Sequence, residues 1–460
     1  MGENDKTILI VILAFLALFG CLVISCCAAW FFAVSRIDKD SMRELLKNSY
    51  TTEEEVIREI PAELTIDPET GELPEIEELI IQVTESTREL SALEKLSPVN
   101  KTEEELREYM TEQMAEVTDE DLAEELGLYN LLGFAPKDFD LRQLYVDLYT
   151  EQIAGFFDPE ENQMFLIEDS SPYENALTLA HEYTHYLQYN NNIFSDVLNY
   201  DDDFCEENGE TCIIIDALVE GDASLTENLI DAETLLEKYQ TQSTASDSDS
   251  SVFDEAPKYF QESLLFPYVY GFDFVAYHYL KGGFDAVNDL YLQLPQSVEQ
   301  IMHPEKYLTD LPVTVTPEPF LSIIGRDFDI LRDDVLNESD ILMILTCGYE
   351  NSWQLGERQA ITAAEGWGGG SYIHAEKDGK RLFFSKTVWD TQNDAEEAET
   401  VFALYSDRRF GQQTDKNVWK SEDGSEVYMI RQDDILYWMI LPDNFEAGEL
   451  ISLIKNGSAL

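Results

Sequence analysis

Two histidines four residues apart restrict this fold more than any other feature of the chain. His181-Glu182-Tyr183-Thr184-His185 spells H-E-x-x-H, and the 460 residues hold only five histidines in all. On an α-helix, positions i and i+4 share a face. Two neutral imidazoles there point at one spot, as a tetrahedral Zn²⁺ requires. Glu182, one residue along, is placed to hold a water and take its proton.

The surrounding residues predict that helix. Ser171-Pro172-Tyr173-Glu174 reads as a capping box with proline at the first helical position. Leu177, Ala180, Thr184 and Leu187 recur at helical spacing and predict the buried stripe. The helix should run from Pro172 to Tyr189 and end at Asn190, Asn191 and Asn192. The bland alternative is an amphipathic helix that merely carries two histidines. Capping, stripe and motif agree in register, which weighs against it.

A catalytic zinc needs a third protein ligand and one open position. The best candidate lies on the next strong helix, around Ile213 to Tyr239, in Asp216-Ala217-Leu218-Val219-Glu220-Gly221-Asp222-Ala223. Glu220 sits beside Gly221 and Ala223, small residues that would let this helix approach the histidine helix. Glycine inside a helix costs about 1 kcal/mol relative to alanine, so its presence points to a packing reason. Asp216, one turn earlier, is the rival ligand. The bland reading of Glu220 is one carboxylate among 93 acidic residues.

HEYTH followed downstream by Val219-Glu220-Gly221-Asp222-Ala223 resembles the gluzincins, metallopeptidases with a His, His, Glu zinc site. More narrowly, the chain resembles a group of bacterial and archaeal zincin-like proteins that are membrane-anchored or secreted. Other segments carry the likeness: Glu151 to Pro159, Phe266-Pro267-Tyr268-Val269-Tyr270-Gly271, Ser297 to Tyr307, Glu365 to Gly369, and Trp389-Asp390-Thr391. It extends over roughly residues 90 to 460. The resemblance implies zinc on His181, His185 and Glu220, Glu182 as general base, and a peptide or protein substrate. One departure stands out. The aspartate that often follows the ligand glutamate by four residues is here Ser224, which leaves the partner of the first histidine open. In zincins, the strand before the active-site helix is a sheet edge to which substrate backbones add. Gln163-Met164-Phe165-Leu166-Ile167 holds that place.

Charge excludes one class of partner. With 29 basic against 93 acidic residues the formal net charge is -64, so phosphate backbones are repelled and nucleic acid is excluded. Thr7 to Ser35 carries no charged residue, and about 20 apolar residues span a bilayer. A single uncleaved membrane helix is therefore expected. Arg36, Lys39, Arg43 and Lys47 follow it and only Lys6 precedes it, which taken alone puts the bulk of the chain in the cytoplasm. Long domains translocate largely regardless of such charges. Cys21, Cys26 and Cys27 lie in the span, and Cys347 reads as a buried thiol. Cys205 and Cys212 flank a turn signal at Asn208-Gly209. They could be a disulfide loop, which needs an oxidising compartment, or two free thiols. The resemblance implies an extracellular catalytic domain. Nothing in the sequence fixes an oligomeric state.

The predicted fold class is α+β. An anchor at 1–37 leads to a helical acidic region at 38–150, whose charge runs, such as Thr102-Glu103-Glu104-Glu105-Leu106, read as solvated helix faces. A zincin-like domain follows at 151–310, with a flexible Ser- and Asp-rich loop at 240–256. A proline-marked linker at 311–337 then leads to a separate α+β module at 338–460. In that module, hairpins are expected around Asp378-Gly379 and at Glu426–Met429 with Ile435–Ile440. A helix is expected from Asp394 to Phe410, and a glycine-rich turn at Gly366 to Gly370. His278 and His374 read as core residues. His303 and Tyr270 are candidate donors to a transition-state oxyanion, and a loop contact is the plainer role for His303. A non-enzymatic cell-surface binding protein on the same scaffold is the alternative function.

Overall fold

The computed structural model describes residues 76–159, 161–167, 172–191, 204–205, 208–230 and 251–456. The expected membrane span, the stretch 38–75, the cap at Ser171 and the loop 240–250 lie outside the described residues. No helix among the described residues is long and apolar enough to cross a membrane.

The architecture is mixed α+β. Among the described residues, four helices come first: α1 (Ile76–Arg88), α2 (Glu103–Glu116), α3 (Asp119–Leu132) and α4 (Leu141–Gln152), with strand β1 (Val99–Lys101) after α1. The Glu-rich starts of α2 and α3 are capping boxes, in which Thr102 and Thr118 exchange bonds with Glu105 and Asp121. β2 (Gly155–Asp158) and β3 (Gln163–Ile167) lead into α5 (Pro172–Asn190), and α6 (Gly209–Asn228) follows. Next come α7 (Ser251–Glu255), α8 (Lys258–Phe266), a π-helical turn at Pro267–Gly271, and α9 (Phe272–Leu292). α9 breaks at Gly282 and Gly283, where Gly283 takes a φ of 66° that favours glycine. The rest of the chain supplies α10 (Val298–Met302), α11 (Phe320–Ile324), β4 (Asp329–Asp334), α12 (Glu338–Thr346), α13 (Glu357–Ala364), β5 (Trp367–Lys377) and β6 (Lys380–Trp389). It ends with α14 (Gln392–Phe410), β7 (Val418–Lys420), β8 (Glu426–Gln432), β9 (Ile435–Leu441) and α15 (Gly448–Lys455).

β3 is not an edge. The small sheet runs β1-β3-β2, with β1 parallel and β2 antiparallel to β3. The strand expected to receive a substrate backbone is therefore paired on both sides over Phe165 and Leu166 and lies inside the sheet. β1 comes from the region expected to stand apart as a helical collar. So does α1, whose Leu79, Ile80 and Ile81 pack with Ala180, Tyr183 and Leu187 of α5. The boundary expected at 151 therefore falls inside one packed unit. The predicted stripe on α5 is buried throughout, from Leu177 and Ala180 to Thr184 and Leu187.

The large sheet is antiparallel throughout, in the order β4-β5-β6-β9-β8-β7. Alternation sends its side chains to two cores. Tyr437, Met439 and Leu441 meet α11 and α15 on one face. Leu436, Trp438 and Ile440 join a core on the other face that runs without a break through α14, α12 and α13 to α2, α3 and α4. The C-terminal module is thus not separate. Tyr405 on α14 bonds the Leu132 carbonyl at 3.1 Å, and Arg409 bonds those of Asn130 and Leu131. The span expected as a linker supplies α11 and edge strand β4. Residues 251–255, expected in a flexible loop, form α7 and bury Phe253. Of the glycine run, Gly366 turns with a φ of 86°, while Gly368 to Gly370 are strand rather than turn. A Cβ on Gly369 would lie 2.2 Å from the Val313 carbonyl oxygen, and one on Gly370 would lie 2.3 Å from that of Leu336. These glycines let passing backbone touch the sheet.

A second close approach shapes the centre of the molecule. A Cβ on Gly221 would lie 2.2 Å from the Gly271 carbonyl oxygen, and one on Gly271 would lie 2.0 Å from that of Ala217. Gly221 thus brings α6 against the π-turn at Pro267–Gly271, not against α5 as the sequence suggested. Backbone on both sides leaves little room to yield. Gly221→Ala should therefore destabilise the protein by about 1–3 kcal/mol. Gly448→Ala, with nothing within 4 Å of the added carbon, should be neutral or slightly stabilising. Urea denaturation of the two variants reads the difference, and equal midpoints would refute the packing role.

Candidate metal centre

The register of α5 puts His181 and His185 on one face, each one position on from the stripe residues Ala180 and Thr184, with Glu182 beside them. α6 crosses there and brings Glu220 between the two rings. His181 Nε2 lies 3.2 Å and His185 Nε2 3.8 Å from Glu220 Oε2. The three ligand atoms all fall within 4.8 Å of one another. Tetrahedral zinc with bonds of about 2.0–2.2 Å needs ligand atoms roughly 3.3–3.6 Å apart, so the spacing fits. All three side chains are buried, and Glu182 beside them is fully so.

The outer face of each ring decides what the inner nitrogen can do. His185 Nδ1 lies 2.7 Å from Gln188 Oε1. The Gln188 amide nitrogen donates to the Val219 carbonyl, Asp222 Oδ2 and the Tyr291 hydroxyl, each at 3.1 Å. The carbonyl and carboxylate can only accept, which fixes the amide orientation. Gln188 Oε1 then requires a proton on His185 Nδ1 and leaves the lone pair on Nε2. That Nε2 is buried and makes no hydrogen bond. A buried bare nitrogen beside a carboxylate is what a cation would satisfy. His181 is held the same way: its Nδ1 lies 3.2 Å from Glu227 Oε2. Carboxylate or amide behind each imidazole is the usual support for metal-ligating histidine.

The support continues outward. Asp222 Oδ2 also accepts from the Tyr291 hydroxyl at 3.0 Å and from Arg88 Nη2 at 2.9 Å. Arg88 Nε meets Asp222 Oδ1 at 2.7 Å, and both side chains are fully buried. Arg88 also bonds Asn288 at 2.7 Å and lies over the Phe284 ring. On the other flank Tyr268, from the π-turn, hydrogen-bonds Glu220, and its ring lies 6.3 Å from that of His181.

Electrostatics follow from this burial. Burial opposes charge on His181, but hydrogen bonds to Glu220 and Glu227 outweigh it and push its pKa up to about 10. Burial, together with the neighbouring His181, pushes His185 well below its ordinary value. A divalent cation on this set must therefore displace the proton on His181.

The other sequence candidates lie elsewhere. Asp216 lines a separate cavity rather than the cluster. His303 Nε2 lies 3.0 Å from Glu338 Oε1, the loop contact that is its plainer role. Tyr270 stacks near Phe266, and burial pushes its hydroxyl up to about 12; Tyr268, two residues earlier, is the hydroxyl at the cluster. His374 is buried in β5. His278 is half-buried among Phe274, Tyr277 and Tyr307, and its Nε2 lacks the hydrogen bond expected of a satisfied core histidine. Cys205 and Cys212 are bonded, with Cα atoms 5.7 Å apart, and Cys347 is buried. Glu227, Gln188, Tyr268, Asp222 and Arg88 were not singled out from sequence. Two of them had a readable signal. Glu227 follows Glu220 by seven residues, two turns on the same face, and Gln188 follows His185 by three.

Residues 330–449, from β4 to the start of α15, match a family described as Domain of unknown function (DUF8575). The match excludes every residue of the histidine cluster. No curated protein and no solved structure matches the chain.

Gln188→Leu removes the acceptor that holds His185 in its tautomer. Metal affinity, read by competition with a chromogenic chelator, should fall about 10–100-fold. Unchanged affinity would show that Gln188 does not orient the ligand.

Proposed function

We propose that this chain is a zinc-dependent peptidase of the gluzincin type, hydrolysing peptide bonds with Glu182 as general base. One observation carries the reading. The two histidines are bonded outward, to Glu227 and Gln188, while both Nε2 atoms face Glu220 and Glu182 sits buried beside them. Among the described residues only three groups converge there, which matches a catalytic zinc with a position left open rather than a closed four-ligand site. A His, His, Glu set also takes other divalent ions, so zinc is the first choice and not the sole one.

When bound, the ion supplies Lewis acidity toward a water and a peptide carbonyl. Glu182 takes the proton of the attacking water and passes it to the leaving amine. Glu227 and Gln188 keep the imidazoles oriented, and Tyr268 holds the Glu220 carboxylate. The apolar run from Thr7 to Ser35 supports a membrane tether, and the Cys205–Cys212 bond supports a catalytic part outside the cell.

The depth of the site favours a second reading. His181 and His185 are 1 % and 2 % exposed, as they would be if the ion only braced a non-enzymatic binding protein. The two readings part in one experiment. The full chain, loaded with zinc, is incubated with an unfolded protein substrate, with and without chelator, beside Glu182→Gln. The peptidase reading predicts chelator-sensitive cleavage that falls on the order of 10²–10⁴-fold in the variant, with metal content unchanged by mass spectrometry. One metal per chain with no cleavage by either protein would leave the scaffold reading, and equal cleavage by both would remove Glu182 as the base.

A further inference from the structure

A cavity of about 670 Å³ lies between α3, the disulfide-bearing start of α6 and edge strand β4. None of His181, His185 and Glu220 lines it. Its volume is typical of small-molecule sites, which run roughly 300–1,000 Å³. We propose that this cavity binds an organic cation, an alkylammonium group on an apolar body. The proposal does not rest on the metal site or on peptidase activity.

Charge is the first argument. Glu125, Glu210, Asp334 and Asp340 line the cavity, and among the described lining residues Arg332 is the only lysine or arginine. Arg332 is engaged through one nitrogen: its Nη2 lies 2.8 Å from Asp334 Oδ2, while its Nε is buried without a hydrogen bond. His374 adds no charge, because burial pushes it down to about 3. The remaining acids are left with a deficit of positive charge. Burial pushes Glu210 up to about 8 and Asp340 up to about 7, and it raises Glu125 as well. Carboxyls shifted upward in this way favour their protonated form and become charged when a cation sits beside them.

Orphan polar atoms are the second argument. Glu125 Oε1 accepts from the hydroxyls of Tyr129 and Tyr145 at 2.6 and 2.9 Å, while its Oε2 is buried with no hydrogen-bond partner. His374, 2 % exposed, likewise has no partner at Nε2. Native buried polar atoms seldom lack a partner, and those that do call for one. An ammonium offers several donors to such acceptors.

The walls argue for an organic body rather than a metal ion. Tyr129, Phe134, Tyr259, Tyr372 and Phe383 line the cavity, with Phe134 and Tyr259 stacked at 4.0 Å. Aromatic faces attract cations and pack on methylenes. A metal ion needs ligand atoms that converge, and among the described residues no group of three ligands within 4.8 Å comes from this cavity.

A free polyamine and a lysine side chain share this chemistry, so both are tested on the full-length protein. Spermidine and a short acetylated, amidated lysyl peptide are titrated calorimetrically at 0.15 M salt, where the Debye length is about 8 Å and surface charges are screened. That matters for a chain of net charge -64. Saturable binding at one site is expected for at least one probe: spermidine identifies a free amine, and the peptide alone identifies a basic side chain. Glu125→Gln should weaken it at least about tenfold, as loss of a buried charge partner does. Leu128→Trp fills the cavity and keeps every carboxylate, so it decides the matter if the first variant fails to fold. Glu397→Gln, on an exposed face of α14, should change nothing. Unsaturable binding of both probes, no binding, or affinity unchanged in the cavity variants would overturn the proposal.

Discussion

The Arg88–Asp222 ion pair is the interaction on which the centre of this protein turns. It joins the end of α1 to the middle of α6, and through Tyr291 and Gln188 it reaches α9 and α5. Two fully buried charges repay their desolvation only with good geometry and further hydrogen bonds. Here the guanidinium meets both Asp222 oxygens side-on, and Oδ2 has two further donors, Gln188 and Tyr291. The consequence reaches the histidines. Because Asp222 fixes the amide of Gln188, and Gln188 fixes the proton on His185, an arginine on the first described helix sets the lone pair that faces Glu220. The bare nitrogen of His185 is therefore a property of four helices together, not of the H-E-x-x-H segment.

How much of this the sequence displayed depends on the range of each contact. The α5 helix and its buried stripe were legible, because periodicity is local. The grouping of His181, His185 and Glu220 was legible too, since two ligands share a helix face and the third stood beside a glycine. That glycine also misled: Gly221 implied a close approach but could not name the partner, which is the backbone of Gly271. The partner of His181 was hidden by a spacing habit. The common spacing points to Ser224, one turn beyond Glu220, while Glu227 sits two turns beyond on the same face. Arg88 gave no signal, because nothing in a local pattern says that a terminal arginine of one helix will reach an aspartate 134 residues away.

The domain picture failed for a related reason. Prolines between Leu311 and Pro319 read as a boundary, and Gly366 to Gly370 read as a turn. Both readings treat backbone preference as if neighbours were absent. In the fold the two segments explain each other. The chain at Val313 and Leu336 runs so close to β5 that only glycine fits opposite it, so the glycine run is where the intended linker is laid against the sheet. With that contact and the bonds from α14 to the end of α3, the C-terminal sheet shares its core with the N-terminal helices. The family match over 330–449 therefore marks a unit of sequence rather than an isolated unit of packing.

Acidity gives the same architecture a second constraint. With 93 acidic side chains and 29 basic ones, most carboxylates must face water or share protons, and those drawn inside need a specific answer. Asp222 has Arg88. Glu299 has Lys306 at 2.7 Å, and Asp334 has Arg332. Glu220 and Glu227 have the His181 imidazole, which holds a proton between them until a cation takes its place. The Arg88–Asp222 pair and the His181 contacts join elements far apart in the chain and act as cross-links as well as counter-charges, whereas Lys306 and Arg332 answer acids close to them in sequence. Glu125, Glu210 and Asp340 stand apart from this pattern, being half-buried beside aromatic walls with one arginine, Arg332, on the same lining. A cation seated among those aromatic walls is the counter-charge that the lining itself supplies only through Arg332.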